Sequence, residues 1–128
     1  MIREFTPYEQ ALALKELGFD EECFGLYHND KTFYPTQCKS HKQFYGQICS
    51  APLYQQAFRW FRENHNINGE VSKNDKEMID YVANRGETYL PLYRWSYCKD
   101  NSVTGGSANT YEEAELACLN KLIEIVKK

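Results

Sequence analysis

The 128-residue sequence predicts an α+β fold in a single domain, a small, mainly antiparallel sheet packed by about three amphipathic helices. Three observations carry this. The last segment repeats apolar residues at helical spacing behind a Thr110/Glu113 capping box. Residues 88–98 alternate in the two-residue period of a strand. Between them, Leu53, Ala57, Trp60 and Phe61 recur at i, i+4, i+7 and i+8, opposite Gln55, Arg59, Arg62 and Glu63, as on a surface helix with a bulky aromatic face.

Taken in order, Thr6-Pro7-Tyr8-Glu9 reads as a helix start. Thr6 is the N-cap, Pro7 stands where its missing N–H costs nothing, and Glu9 reaches back to the cap. Ala11, Leu14 and Leu17 share a face. Gly18 then suits a left-handed C′ position and lets Phe19 fold back onto Leu14, as in a Schellman ending. Residues 23–27 and 32–34 are short aromatic-rich runs joined by His28-Asn29-Asp30-Lys31, which predicts a β-hairpin. Residues 35–50 read as a long loop with a short strand around Phe44 and Tyr45. Ser50 is placed as the cap of the central helix, with Pro52 in its first turn. Residues 64–72 read as turns and 74–85 as a helix ending at Gly86. The stretch 99–107, with Gly105-Gly106, reads as a loop returning the chain to the last helix. In that helix Ala114, Leu116, Cys118, Leu119, Leu122, Ile123, Ile125 and Val126 span an arc of about 200°, twice the roughly 100° a single-sided helix needs. One contact is the sheet. The other is a second helix or a second subunit, which makes Leu116, Leu119, Ile123 and Val126 the candidate homo-oligomer interface.

Composition narrows the function classes. The sequence is 42% hydrophobic and 26% charged, as globular domains are. A net charge of -3 offers no overall basic footprint for nucleic acid. Neither a bilayer-length apolar stretch nor a signal-peptide core is expected, which points to the cytoplasm with no membrane association. The five cysteines are odd in number and irregularly spaced, which predicts reduced thiols. Cys23, His28, Cys38 and His41 combine zinc-binding residue types, but C-x4-H-x9-C-x2-H matches no standard finger. Cys23 and His28 would also point to opposite faces of an extended segment. No metal, cofactor or catalytic residue is therefore expected, and the domain is read as non-enzymatic.

The anomaly is aromatic content, with ten Tyr, seven Phe and two Trp. On the strand over residues 88–98, Tyr89, Tyr93, Trp95 and Tyr97 share one face, while Leu90, Leu92, Arg94 and Ser96 share the other. If the leucines face the core, the rings and Arg94 form a recognition platform; if the rings face the helices, they are core. Arg59 and Arg62 are candidate anion contacts on the polar side of the central helix.

Three strings resemble a family of small uncharacterised proteins encoded by phages and mobile elements of gut bacteria. They are Pro7-Tyr8-Glu9-Gln10-Ala11 running to Glu16-Leu17-Gly18-Phe19-Asp20-Glu21, then Ala51-Pro52-Leu53-Tyr54-Gln55-Gln56-Ala57-Phe58-Arg59-Trp60-Phe61-Arg62-Glu63, and last Thr110-Tyr111-Glu112-Glu113-Ala114-Glu115-Leu116-Ala117-Cys118-Leu119-Asn120-Lys121-Leu122-Ile123-Glu124. The resemblance implies no activity and no catalytic residues. It implies an accessory binding module that inhibits or sequesters a host protein, for instance in counter-defence, or a nucleotide-type signal. A small nucleic-acid-associated protein of phage replication or gene regulation is the alternative.

Overall fold

A computed structural model of the protein describes residues 2–28, 30–37, 48–74, 80, 84 and 93–127. Among these, three α-helices and two three-stranded antiparallel sheets make an α+β fold. The chain runs α1 (Tyr8–Glu16), β1 (Leu26–His28), β2 (Phe33–Tyr34), β3 (Ile48–Ser50), α2 (Tyr54–His65), β4 (Asn68–Lys73), β5 (Tyr93–Lys99), β6 (Ser102–Ala108) and α3 (Tyr111–Lys127). The expected sheet is thus two sheets, in orders β2-β1-β3 and β4-β5-β6.

α1 ends as predicted. Gly18 is left-handed (φ 103°), Phe19 N–H reaches Leu14 O at 2.9 Å and Gly18 N–H reaches Lys15 O at 3.1 Å, the two bonds of a Schellman motif. Leu14 and Phe19 are both fully buried. Its start differs from expectation. Pro7 occupies the N-cap position without a side-chain cap, because Thr6 is drawn into the interior: its N–H donates to Pro52 O (2.9 Å) and its carbonyl accepts the Tyr27 hydroxyl (2.8 Å).

The hairpin forms with Leu26 opposite Tyr34 and Tyr27 opposite Phe33. Its turn is held by left-handed Lys31 and by Asp30 Oδ1 accepting from Thr32 N–H. β3 pairs with the other edge of β1. Ser50 belongs to β3 and is buried, so it does not cap α2, which starts at Tyr54 behind an uncapped Leu53. The short strand expected around Phe44 and Tyr45 lies outside the described residues. So does most of the helix expected over 74–85, of which Asp80 and Asn84 are described and helical.

Two expectations are corrected in the second sheet. Residues 68–73 are a strand instead of turns, and 102–108 a strand instead of a loop. The glycines there permit close approach; they do not mark turns. A Cβ on Gly69 would lie 2.9 Å from Leu122 Cδ1 and 3.1 Å from Cys118 Sγ, and one on Gly106 would lie 2.9 Å from the Trp95 indole. The turn between β5 and β6 is the two-residue Asp100-Asn101, both left-handed (φ 52° and 67°), as a type I′ hairpin requires.

The main core lies between α2, α3 and one face of β4-β5-β6, built on Phe19, Trp60, Phe61, Ile67, Leu119 and Leu122. Burial of a ring such as Phe61 contributes about 2–3 kcal/mol of transfer free energy. A smaller cluster of Phe5, Ala11, Tyr27, Cys49 and Ala51 sits between α1 and the first sheet. α1 serves both, with Leu14 in one and Ala11 in the other. Among the described residues no helix is long and apolar enough to cross a membrane.

Candidate functional site

The register of the second sheet decides which way the aromatic strand faces. Trp95 aligns with Val71 and Gly106, and Tyr97 aligns with Gly69. Gly69 is the residue over which Leu122, Cys118 and Phe58 pack. Trp95 and Tyr97 are accordingly half-buried against the main core, and Tyr93 meets Tyr111 of α3 edge-on at 5.8 Å. Of the two arrangements open from sequence, the rings adopt the one directed at the helices. Arg94 lies on the opposite face, where its Nε donates to Ser72 Oγ at 3.0 Å, so it does not join the rings. Tyr89 lies outside the described residues.

Arg59 and Arg62 do come together. They line a groove of about 690 Å³ beside α2, with Phe24, Phe58, Gln55 and Glu22 among its walls. Residues 55, 59 and 62 are spaced i, i+4 and i+7, so one helix face delivers both guanidiniums and an amide. Arg59 is held by Glu21 at 3.6 Å in an exposed pair, the kind worth at most about 1 kcal/mol and open to exchange. Among the described residues Arg62 has no ion-pair partner. Gln56 Nε2 ties α2 to the segment after α1 through Glu22 O (2.8 Å) and Glu21 Oε1 (3.3 Å). The Glu22 carboxylate is itself engaged by the Gln37 amide. Phe24, 63% exposed, is a large ring left out of the core at the edge of this groove. Sequence reasoning placed Phe24 in a strand and so missed it.

A second concavity, of about 340 Å³, opens on the other side of the α2 start and is lined by Arg3, Glu4, Tyr54, Tyr111, Glu112 and Glu115, together with Leu53 and Gln55. Glu115 is only 7% exposed. Its carboxyl has no hydrogen-bond donor among the described residues. Burial, then the neighbouring Glu112 and Glu4, push it up to about 7. Burial, then Glu115, push the Tyr54 hydroxyl up to about 12, and the same two causes raise Tyr111. Glu115 was legible and overlooked: on a helical projection it stands at the middle of the apolar arc of α3.

The remaining candidates disperse. Cys23 is buried with its thiol donating to Glu21 O at 3.4 Å, while His28 is exposed and rests edge-on against Tyr34. Cys38 and His41 lie outside the described residues. Among those described, no group of three His, Cys, Asp or Glu is placed to hold a metal ion. Burial pushes the Cys118 thiol up to about 12, far from a reactive thiolate. In α3, Leu119 and Ile123 are buried within the chain, and Leu116 and Val126 are half-buried. The expected interface is corrected to that extent, because α2 and the second sheet cover the arc from inside one copy. No family model, curated protein or solved structure matches the chain.

Proposed function

We propose that this protein is a non-enzymatic phage accessory module of the bacterial host cytoplasm that captures a nucleotide-type host signal in the α2 groove. The observation that carries this reading is the convergence of Arg59, Arg62 and the exposed Phe24 on one concavity. A planar base stacks on a free aromatic face, and phosphate oxygens take charge-assisted hydrogen bonds from guanidinium groups. Gln55 supplies an amide able to read a base edge. Sequestering a ligand needs no chemistry from the protein.

The test is calorimetric titration with nucleoside mono- and triphosphates, on the wild type and on Arg62→Ala and Phe24→Ala. Both side chains are exposed, so the melting temperature stays within about 1–2 °C of wild type. Affinity is expected to fall about 10- to 100-fold for Arg62→Ala, the value of one charge-assisted bond. Wild type that binds no nucleotide, or variants that bind as wild type does, would remove this reading. Steeply salt-dependent binding of long single strands without mononucleotide binding would favour a nucleic-acid-associated role instead.

A further inference from the structure

We propose that the cavity around Glu115 is a binding site for a small alkylammonium ion. Its ammonium group would sit against the Glu115 carboxyl, in the field of Glu4 and Glu112, and its alkyl arm in the apolar cavity alongside. This is a site separate in chemistry from the α2 groove, and it does not depend on the nucleotide reading.

The walls argue for a cation. Three carboxylates, of Glu4, Glu112 and Glu115, line a cavity of about 340 Å³, near enough for Glu112 and Glu4 to repel the Glu115 charge. One of them, Glu115, is more than nine-tenths buried and has no donor among the described residues, and its carboxyl oxygens, which are not sealed off as Thr6 Oγ1 is, open to the cavity. A carboxylate in so poorly solvated a position gains from a proton or a bound positive group. The protein already places one such group at the mouth: Arg3 Nη1 lies 3.7 Å from Glu112 Oε1, with 77% of the arginine side chain exposed. An exposed pair of this length is weak and displaceable.

The walls also argue for an organic cation over a metal ion. The space is many times the volume of a bare ion. No metal-binding group of side chains is formed among the described residues. The rings of Tyr54 and Tyr111 line the cavity, and aromatic faces attract ammonium groups. Across Arg3, Tyr54 and Glu112 it adjoins a second cavity of about 370 Å³, walled by Phe5, Tyr27 and Leu116. A ligand charged at one end and apolar at the other matches the pair.

The experiment is calorimetric and NMR titration of the full chain with n-hexylamine at about pH 8, where the amine is charged and Glu115 ionised. The neutral n-hexanol and the anionic hexanoate are the controls. Saturable binding of hexylamine alone is expected, with backbone shifts at Tyr54, Tyr111 and Glu115. Glu115→Gln keeps the shape and removes the charge, and affinity should fall about tenfold or more. Glu112→Gln at the exposed rim should weaken it less, which keeps the test sound if the buried substitution disturbs folding. Arg3→Ala, by removing the resident cation, should strengthen it several-fold. Affinity should rise from about pH 6 to 8 as Glu115 loses its proton beside Glu4 and Glu112. Equal binding of hexylamine and hexanol, absence of saturable binding, or unchanged affinity in both glutamine variants overturns the proposal. Phe24→Ala and Arg62→Ala should leave hexylamine binding intact, so failure of the nucleotide site and failure of this one are read separately.

Discussion

Replacing Glu115 by Gln should stabilise the free protein, and by more as pH rises. The carboxyl moves from its ordinary 4.5 to about 7 in the folded chain, because burial penalises its charged form and Glu112 and Glu4 repel it. The folded state therefore holds the proton more tightly than the unfolded state. Below about pH 4.5 both states are protonated and nothing is lost. Between about pH 4.5 and 7 the unfolded chain ionises first, and stability falls by about 1.4 kcal/mol per pH unit. Above about pH 7 the loss levels off at roughly 3 kcal/mol. The amide introduced by Glu115→Gln cannot ionise, so the variant escapes this loss. For a domain of this size 3 kcal/mol corresponds to on the order of 10 °C in melting temperature. Urea denaturation of both proteins at about pH 5, 6, 7 and 8, without added amine, isolates the effect, since all other titrating groups are common to the two. Parallel stability curves across that range would refute the reasoning and place Glu115 in contact with water or with a neutralising partner.

Two further outcomes bear on the scaffold. Trp95→Ala should lower stability by about 2–3 kcal/mol, less than the 3–5 of a fully buried ring, because the indole is half-buried between the core and Gly106; an unchanged denaturation midpoint would return the aromatic strand to the role of an exposed platform. Thr110→Ala removes the acceptor that Glu113 N–H finds at 3.1 Å and should cost about 1 kcal/mol in thermal unfolding, with Thr110→Ser close to wild type.

The bodies of α1, α2 and α3 were legible because their signals are local, although the caps expected from Thr6 and Ser50 are not made. A Gly at C′ and an apolar period of 3.6 depend on nothing beyond the segment itself, whereas a Thr three residues before a Glu caps α3 at Thr110 but not α1, where tertiary bonds draw Thr6 inward. The second sheet was half legible. Alternation in residues 93–98 identified which side chains share a face, but a period of two carries no information about which face is covered. That was decided by Gly69 in β4, whose missing side chain lets Leu122 and Cys118 approach from α3. Gly69 and the Gly105-Gly106 pair were misread for the same reason: a glycine that ends a strand and one that admits a neighbour are identical in sequence. The α2 groove was legible as far as Arg59 and Arg62. Phe24 reaches it from a part of the chain 35 residues before Arg59, a juxtaposition that only the packing of α2 against the segment after α1 creates.

The breadth of the α3 arc called for a second contact besides the sheet, a helix or a second subunit, and α2 supplies a helix, which turns the question to the arc's one discordant residue. Leu119, Leu122 and Ile123 surround the position of Glu115 on the helix projection, and all are buried. A helix chosen only for packing would carry an aliphatic residue there, since a carboxyl at such a position costs several kcal/mol unless it is neutralised. Tyr93 extends the point: excluded from any open platform, it supports Tyr111, which lines the Glu115 cavity. The aromatic strand thus reaches a candidate binding site indirectly, by fixing a ring of its wall. Tyr93→Ala should accordingly weaken hexylamine binding several-fold while leaving nucleotide binding at the α2 groove unchanged, a division that a general loss of folding would not produce.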